Sequence, residues 1–204
     1  MEEKSMAQKR NGLLLILLGA GAIVLALGLF SYNKWEAQQA SLASEAALLQ
    51  LQLAMAEDDC QSDKTKEFKN QPMAEIEIDG ERYIGQLNIP DLGLELPVIS
   101  QWSYPRLKKA PCRYSGTLED KNLVLLAHNY KKHFGYLHTL RIGSNIEFQD
   151  VDGRMQTYEI ASIETVEPTD IEKVTAGEYA LTLFTCTYGG QYRTMVGCNP
   201  VDSE

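Results

Sequence analysis

The hydrophobic pattern of this chain changes character twice. Leu13 to Phe30 is an unbroken run of 18 apolar and glycine residues, LLLILLGAGAIVLALGLF. A helix needs about 17–25 such residues to cross a bilayer, so the run predicts a span at the short end of that range. From Trp35 to Ala56 the composition turns to Ala, Leu, Gln and Glu, without Gly or Pro. Trp35, Gln39, Leu42, Ala46, Leu49, Leu53 and Ala56 recur there at alternating steps of four and three. That spacing is a helical heptad register of about three repeats, apolar except at Gln39. Glu57 to Pro72 is polar and charged and reads as linker. Beyond it the pattern becomes that of strands, with runs rich in Val, Ile, Leu, Tyr and Phe at 75–78, 82–89, 94–99, 123–127, 145–149, 155–166, 180–186 and 192–198. Asp79-Gly80, Ile89-Pro90-Asp91, Gly143-Ser144-Asn145 and Asp152-Gly153 supply turns between them. About eight strands with few helical patterns predict an all-β barrel or sandwich. One short helix is predicted between Tyr104 and Lys109, and another helical turn near Phe134–Leu140.

The flanks of the apolar run set the predicted topology. A cleaved signal peptide has a shorter apolar core and a small-residue cleavage site. Here Ser31-Tyr32-Asn33-Lys34-Trp35 follows instead, a sequence suited to anchoring at the membrane interface. Lys9 and Arg10 precede the run, with Lys4 further upstream. The positive-inside rule then keeps the N-terminus in the cytoplasm and exports the rest. The expected organisation is a cytoplasmic tail at 1–12, an anchor at 13–30, a helical stalk and linker at 31–72, and one domain of about 130 residues at 73–204. The stalk reads as a helical spacer that raises the domain off the bilayer; its seam would support only a weak dimer. Charge adds one exclusion. The chain carries 19 Lys and Arg against 28 Asp and Glu, a net charge of −9, which argues against nucleic acid as a partner.

Candidate chemistry centres on Thr182 to Arg193, TLFTCTYGGQYR. It reads as a strand ending in Cys186, a glycine turn and a returning strand that begins near Arg193. With Gly189-Gly190 at the apex, Cys186 falls opposite Arg193, with both side chains on one face. A cationic neighbour favours the thiolate, which is the nucleophilic form. His128 ends the apolar strand Leu123-Val124-Leu125-Leu126-Ala127, where the chain leaves the sheet, a frequent place for active-site residues. It could protonate a departing amine as a general acid, while Arg193 holds the carbonyl and stabilises an oxyanion. Nothing in this chemistry needs a cofactor. The plainer alternative is a buried cysteine, a loop histidine and a solvated strand arginine. His133 and His138 lie in a Lys-rich segment and read as surface or loop-packing residues. The cysteines Cys60, Cys112, Cys186 and Cys198 have no metal-like spacing. A Cys60–Cys112 or a Cys112–Cys198 disulfide stays open in an oxidising exterior.

These motifs resemble the sortase family. Thr182-Leu183-Phe184-Thr185-Cys186 is similar to its TLxTC signature. Leu123 to Asn129 resembles its second signature, a hydrophobic strand ending in Gly-His, with Ala127 in place of the usual Gly. Arg193 falls where the family keeps an arginine. Gly85 to Val98 looks like the family's first two core strands, and the resemblance covers about 82–198. It implies an eight-stranded β-barrel with short helices behind a membrane helix. It also implies a thiol transpeptidase of the Gram-positive cell surface that cleaves an LPxTG-like sorting signal through a thioacyl enzyme. A peptidoglycan-precursor or pilin amine would then take the acyl group. Under that resemblance Cys186 is the nucleophile, His128 the general acid and base, Arg193 the oxyanion stabiliser, and Thr185 a secondary substrate contact. The short segment Glu167–Glu178 argues against class B. No lid motif of the pilin-polymerising class C is visible, which leaves classes A, D and E. A calcium site like that of some class A members would draw on Glu164, Glu167, Asp170 and Glu172, although a solvated acidic loop is the favoured reading of these residues. Two rival readings are a cell-wall cysteine peptidase and a non-catalytic surface scaffold.

Overall fold

The computed structural model describes residues 2–59, 73–187 and 189–201. The chain divides into two compact units, Met1–Gln39 and Ala40–Glu204, with helix α1 (Glu2–Asp59) contributing to both. In the first unit, α1 carries an 18-residue window of mean hydropathy 2.6, none of it buried in the protein. A helix apolar on all sides, with nothing packed on it, is long and apolar enough to cross a membrane.

The second unit contains a closed β-barrel. Its strands are β1 (Ile76–Ile78), β2 (Glu81–Ile89), β3 (Leu94–Ile99), β4 (Cys112–Ser115), β5 (Leu123–Leu126), β6 (Asn145–Asp150), β7 (Met155–Val166), β8 (Leu181–Cys186) and β9 (Arg193–Pro200). They are ordered β1-β2-β3-β4-β5-β8-β9-β7-β6, and a further β2–β6 pairing closes the ring. Eight strands form the barrel, and β1 is a three-residue hairpin arm paired with β2 outside it. The expected count of eight was therefore met by a different set of strands. The run at 75–78 is the arm outside the ring, and β4 takes its place. Cys112-Arg113-Tyr114-Ser115 is too short to show alternation, and a bulge between Arg113 and Ser115 breaks its register.

Alternation along the strands fills the interior. Ile84, Leu87, Leu96, Val98, Leu123, Leu125, Phe148, Ile160, Leu181, Leu183 and Val196 join Phe134 and Leu137 in the main core. Phe184 points the other way, into an outer cluster with Val124, Val166, Val174 and Met195. Val174 reaches that cluster from α3 (Ile171–Thr175), a short helix within the predicted loop between β7 and β8. The predicted helix after β3 is α2 (Tyr104–Leu107), capped by the Ser103 hydroxyl, which accepts from the Arg106 amide at 3.3 Å. The expected turn near Phe134–Leu140 includes a 3-10 helix at Leu137–Thr139.

The C-terminal end of the stalk helix packs on the barrel. Leu51 and Met55 of α1 pack into a cluster with Tyr83, Ile99, Leu107, Ala110, Cys112 and Val151. Gln52 Nε2 also donates to Gln86 Oε1 at 3.0 Å. The heptad seam falls on the other side, with Leu42, Leu49 and Leu53 all more than half exposed. A 3.6-residue helix carries two stripes, and heptad spacing alone cannot say which one the barrel covers. The expected linker lies, beyond Asp59, outside the described residues.

Candidate active site

Two neighbouring strands end at the same level and carry the candidate residues there. β5 and β8 run parallel, pairing Leu123 with Leu181, Val124 with Thr182, Leu125 with Leu183 and Leu126 with Phe184. Each partner is 58 positions further along the chain, so that register makes His128 level with Cys186. The backbone ladder stops before this pair, but other bonds carry the pairing past it. The Ala127 amide donates to the Phe184 carbonyl at 3.3 Å. Thr185 Oγ1 donates to the Ala127 carbonyl at 2.7 Å, and Asn129 Nδ2 donates to the Thr187 carbonyl at 3.3 Å, each across the same 58-residue separation. The residues just before and just after His128 and Cys186 are thus tied together. Ala127, standing where the resemblance expects glycine, is buried and accommodated by this bonding.

On the other side of β8, β9 returns antiparallel and pairs Cys186 directly with Arg193. The register expected from the sequence is the one observed. The turn differs in detail. The Thr187 amide donates to the Tyr192 carbonyl at 2.9 Å, and the Gly190 amide to the Thr187 carbonyl at 2.9 Å. Gly189 and Gly190 adopt φ of +95° and +75°, values that glycine reaches without a Cβ penalty. Arg193 Nη1 donates to the carbonyls of Gly190 and Tyr192 at 3.2 and 3.1 Å, so the hairpin loop braces the guanidinium. Cys186, His128 and Arg193 are all half-buried, open enough to meet a substrate.

Behind His128 the loop is tightly closed. The Phe134 amide donates to the His128 carbonyl at 3.2 Å, and the amides of His133 and Gly135 donate to the Tyr130 carbonyl at 2.9 Å. A Cβ on Gly135 would sit 2.6 Å from the Asn129 carbonyl oxygen, so only glycine fits that approach. The Tyr130 ring lies between two imidazoles, with centroids 5.0 Å from His128 and 5.6 Å from His133. His133 is fully buried rather than superficial, and neither ring nitrogen has a hydrogen-bond partner among the described residues. Burial, with a smaller contribution from His128, pulls its pKa down to about 4 and keeps it neutral. His138 is exposed.

The other two described thiols, Cys112 and Cys198, are sealed. Cys198 pairs with Leu181 in the main core, Cys112 lies under α1, and all three described cysteines are free. The Cys112–Cys198 disulfide left open by the sequence is therefore not formed, since the two residues occupy different clusters; Cys60 lies outside the described residues. Burial pushes the thiols of Cys112 and Cys198 up to about 12 each. Of the acidic candidates, Glu164 accepts from Ser162 at 2.7 Å and pairs with Lys173. No group of three potential metal ligands occurs among the described residues.

Comparison with known proteins follows the same outline. A model of the Sortase domain family matches residues 87–201, more than half of the chain. No curated protein matches it. Among solved structures, sortase C1 from Streptococcus suis is 26% identical, with a TM-score of 0.53 over 60% of this chain and 74% of that one. The pilus-related sortase C of Group B Streptococcus is 20% identical, with a TM-score of 0.53 over 81% of this chain and 95% of that one. Sortase E1 from Streptomyces coelicolor, solved with a tripeptide in its active site, is 22% identical, with a TM-score of 0.53 over 59% and 88%. The last two likenesses concern the fold alone.

Proposed function

The chain belongs to the sortase family, whose members are cysteine transpeptidases of cell-wall sorting, and from that premise we propose that Cys186, His128 and Arg193 form its catalytic centre. The observation that carries this reading is the register. One strand end, at Cys186, has Arg193 as its direct antiparallel partner and His128 level with it across the parallel neighbour. The Cys186 thiolate attacks the carbonyl of the scissile amide, forming a C–S bond and a tetrahedral oxyanion. Arg193 stabilises that oxyanion with fixed charged donors. Collapse breaks the C–N bond, and His128 delivers a proton to the departing amine. The thioacyl enzyme then meets a second amine. His128 removes its proton as the new amide forms, and the Cys186 thiolate is released.

The acyl donor in this reading is an LPxTG-like sorting signal, and the acceptor a peptidoglycan-precursor or pilin amine. The half-buried thiol and the expected exported topology support it, with residues 1–12 in the cytoplasm, 13–30 in the membrane, 31–72 as stalk and linker, and 73–204 outside. Asn129 joins the site as a positioning residue, and the Thr185 hydroxyl, buried against Ala127, supports a positioning role for Thr185 more directly than a substrate contact. Classes C, D and E all occur among the similar structures, so the class A, D or E preference rests on sequence features alone. The deciding experiment offers an LPxTG-type peptide together with triglycine. A ligated product is the expected result, whereas hydrolysis indifferent to the amine would favour the peptidase alternative. Loss of neither product nor surface display in Cys186→Ala would favour the scaffold.

A further inference from the structure

The proposed cycle uses His128 and leaves its two ring neighbours without a task. Tyr130 sets its ring beside the His128 imidazole, with centroids 5.0 Å apart and planes tilted by 35°. On its other side the Tyr130 ring meets His133, at 5.6 Å and 50°. The loop backbone fixes this stack. The Phe134 amide donates to the His128 carbonyl, and the His133 and Gly135 amides both donate to the Tyr130 carbonyl. Residues 128 to 135 are thereby closed into one tight turn. Gly135 leaves no room for a side chain, since a Cβ there would stand 2.6 Å from the Asn129 carbonyl oxygen and 2.8 Å from that of Tyr130. Tyr130 is thus held through its main chain and backed by a ring that is itself fully buried. Kept neutral by that burial, His133 adds bulk without a second positive charge.

What His128 has to do makes the Tyr130 contact matter. It gives a proton to the departing amine and later takes one from the incoming amine. Both steps need the imidazole held in one orientation at the level of Cys186, and the first needs its protonated form. Most of the charge at this end of the barrel opposes that form. Arg193 on β9 and the exposed Lys131 and Lys132 of the same loop are cationic, whereas the Cys186 thiolate on β8 favours it. An aromatic face within about 6 Å of a cation favours it too, and the Tyr130 ring lies inside that distance. A base oriented by a third group is the usual arrangement for a nucleophile and its proton carrier. On the premise that Cys186, His128 and Arg193 form the catalytic centre, we propose that Tyr130 is the positioning residue of the acid–base imidazole. It acts through its ring on His128 and not on the substrate. One face fixes the imidazole plane and stabilises its protonated form, while His133 backs the other. The two residues that follow His128 then divide the work: Asn129 ties the strand end to Thr187, and Tyr130 holds the ring.

The test compares Tyr130→Leu with Tyr130→Phe in the full chain in detergent micelles. Tyr130→Leu removes the ring. It should lower kcat for transfer of an LPxTG-type peptide to triglycine about tenfold or more, with either KM changed less than about twofold. NMR titration of the histidine-labelled protein without substrate, assigned with His128→Gln, reads the imidazole directly. In Tyr130→Leu the His128 pKa should fall by about half a unit or more, because the protonated form loses its aromatic face. Tyr130→Phe keeps that face and should retain most of kcat and the wild-type His128 titration. The melting temperature reports whether the loop still folds, and Tyr130→Met replaces the leucine variant if it does not. Either a wild-type kcat or an unshifted His128 in the folded ringless variant overturns the proposal. A Tyr130→Phe variant as impaired as Tyr130→Leu also overturns it, since the phenol oxygen would then carry the effect. A loss carried by KM overturns it in favour of a substrate contact. Undiminished turnover in His128→Gln would instead remove the catalytic reading, and the His128 titration in Tyr130→Leu would still decide the ring contact.

Discussion

The β8–β9 hairpin holds two thiols with opposite fates. Cys198 faces Leu181 inside the main core, where burial pushes its thiol up to about 12. Cys186 stands at the far end of the same ladder, half-buried and paired with Arg193. The loop after β5 repeats the contrast in imidazoles. His133 is sealed and held neutral, and His128 is half-buried at the end of its strand. In both cases strand-end position, not residue type, separates a group that can meet a substrate from one that only packs. A cysteine sealed in apolar surroundings behaves as a small hydrophobe.

The most severe way to break the contrast is to remove each thiol in turn. Cys186→Ala should lower peptide turnover at least about a thousandfold, the scale expected when a nucleophile is lost. Cys198→Ser should instead leave turnover per folded molecule intact. It should lower unfolding free energy by about 1–3 kcal/mol, because it buries a hydroxyl in an apolar site. Denaturant titration beside the kinetic assay reads both. Equal activity losses in the two variants would dissolve the distinction.

Arg193→Lys tests the partner of the half-buried thiol. A point charge cannot reproduce a braced, planar donor, so kcat/KM should fall about a hundredfold while the melting temperature is kept. Wild-type turnover in this variant would remove the oxyanion role.

The histidines differ in their response to acid. His133 has a folded pKa of about 4 against an ordinary value of 6.5. The unfolded chain therefore binds more protons between those values. Its stability contribution is complete above pH 6.5 and is lost as pH falls toward 4. The loss should be about 2 kcal/mol by pH 5. Urea titrations at pH 7 and pH 5 measure it, and His133→Phe should flatten that difference if it folds. An unchanged pH dependence in the folded variant would assign the acid loss elsewhere.

The smallest effect concerns the bond that ties the two strand ends beyond the ladder. Asn129→Ala should lower kcat about tenfold with little change in KM or melting temperature, and it should shift the pH dependence of Cys186 alkylation. Asn129→Gln should recover little, since its longer side chain overshoots the Thr187 carbonyl, now met at 3.3 Å. Full activity in Asn129→Ala would reduce the bond to a structural detail.

Much of this was legible in the chain because it depends on local spacing. Apolar run length announces the long helix, and two-residue alternation marks seven of the eight barrel strands. The glycine pair fits a hairpin of one register, and the register pairs Cys186 with Arg193. β4 escaped because four residues with a bulge carry no period. The docked face of α1 escaped because Leu51 and Met55 lie on one stripe and Leu42, Leu49 and Leu53 on another, both apolar.

By itself, then, the sequence determined what neighbouring residues can decide among themselves: element type, hairpin register and the signatures of the family. Only the tertiary structure decided that Ala127 and Asn129 meet Thr185 and Thr187 across 58 residues. The same holds for Tyr114 reaching Phe184 across β5, and for the sealing of His133. Parallel pairing and core burial join segments far apart in the chain, and no local period encodes which distant strand becomes the neighbour.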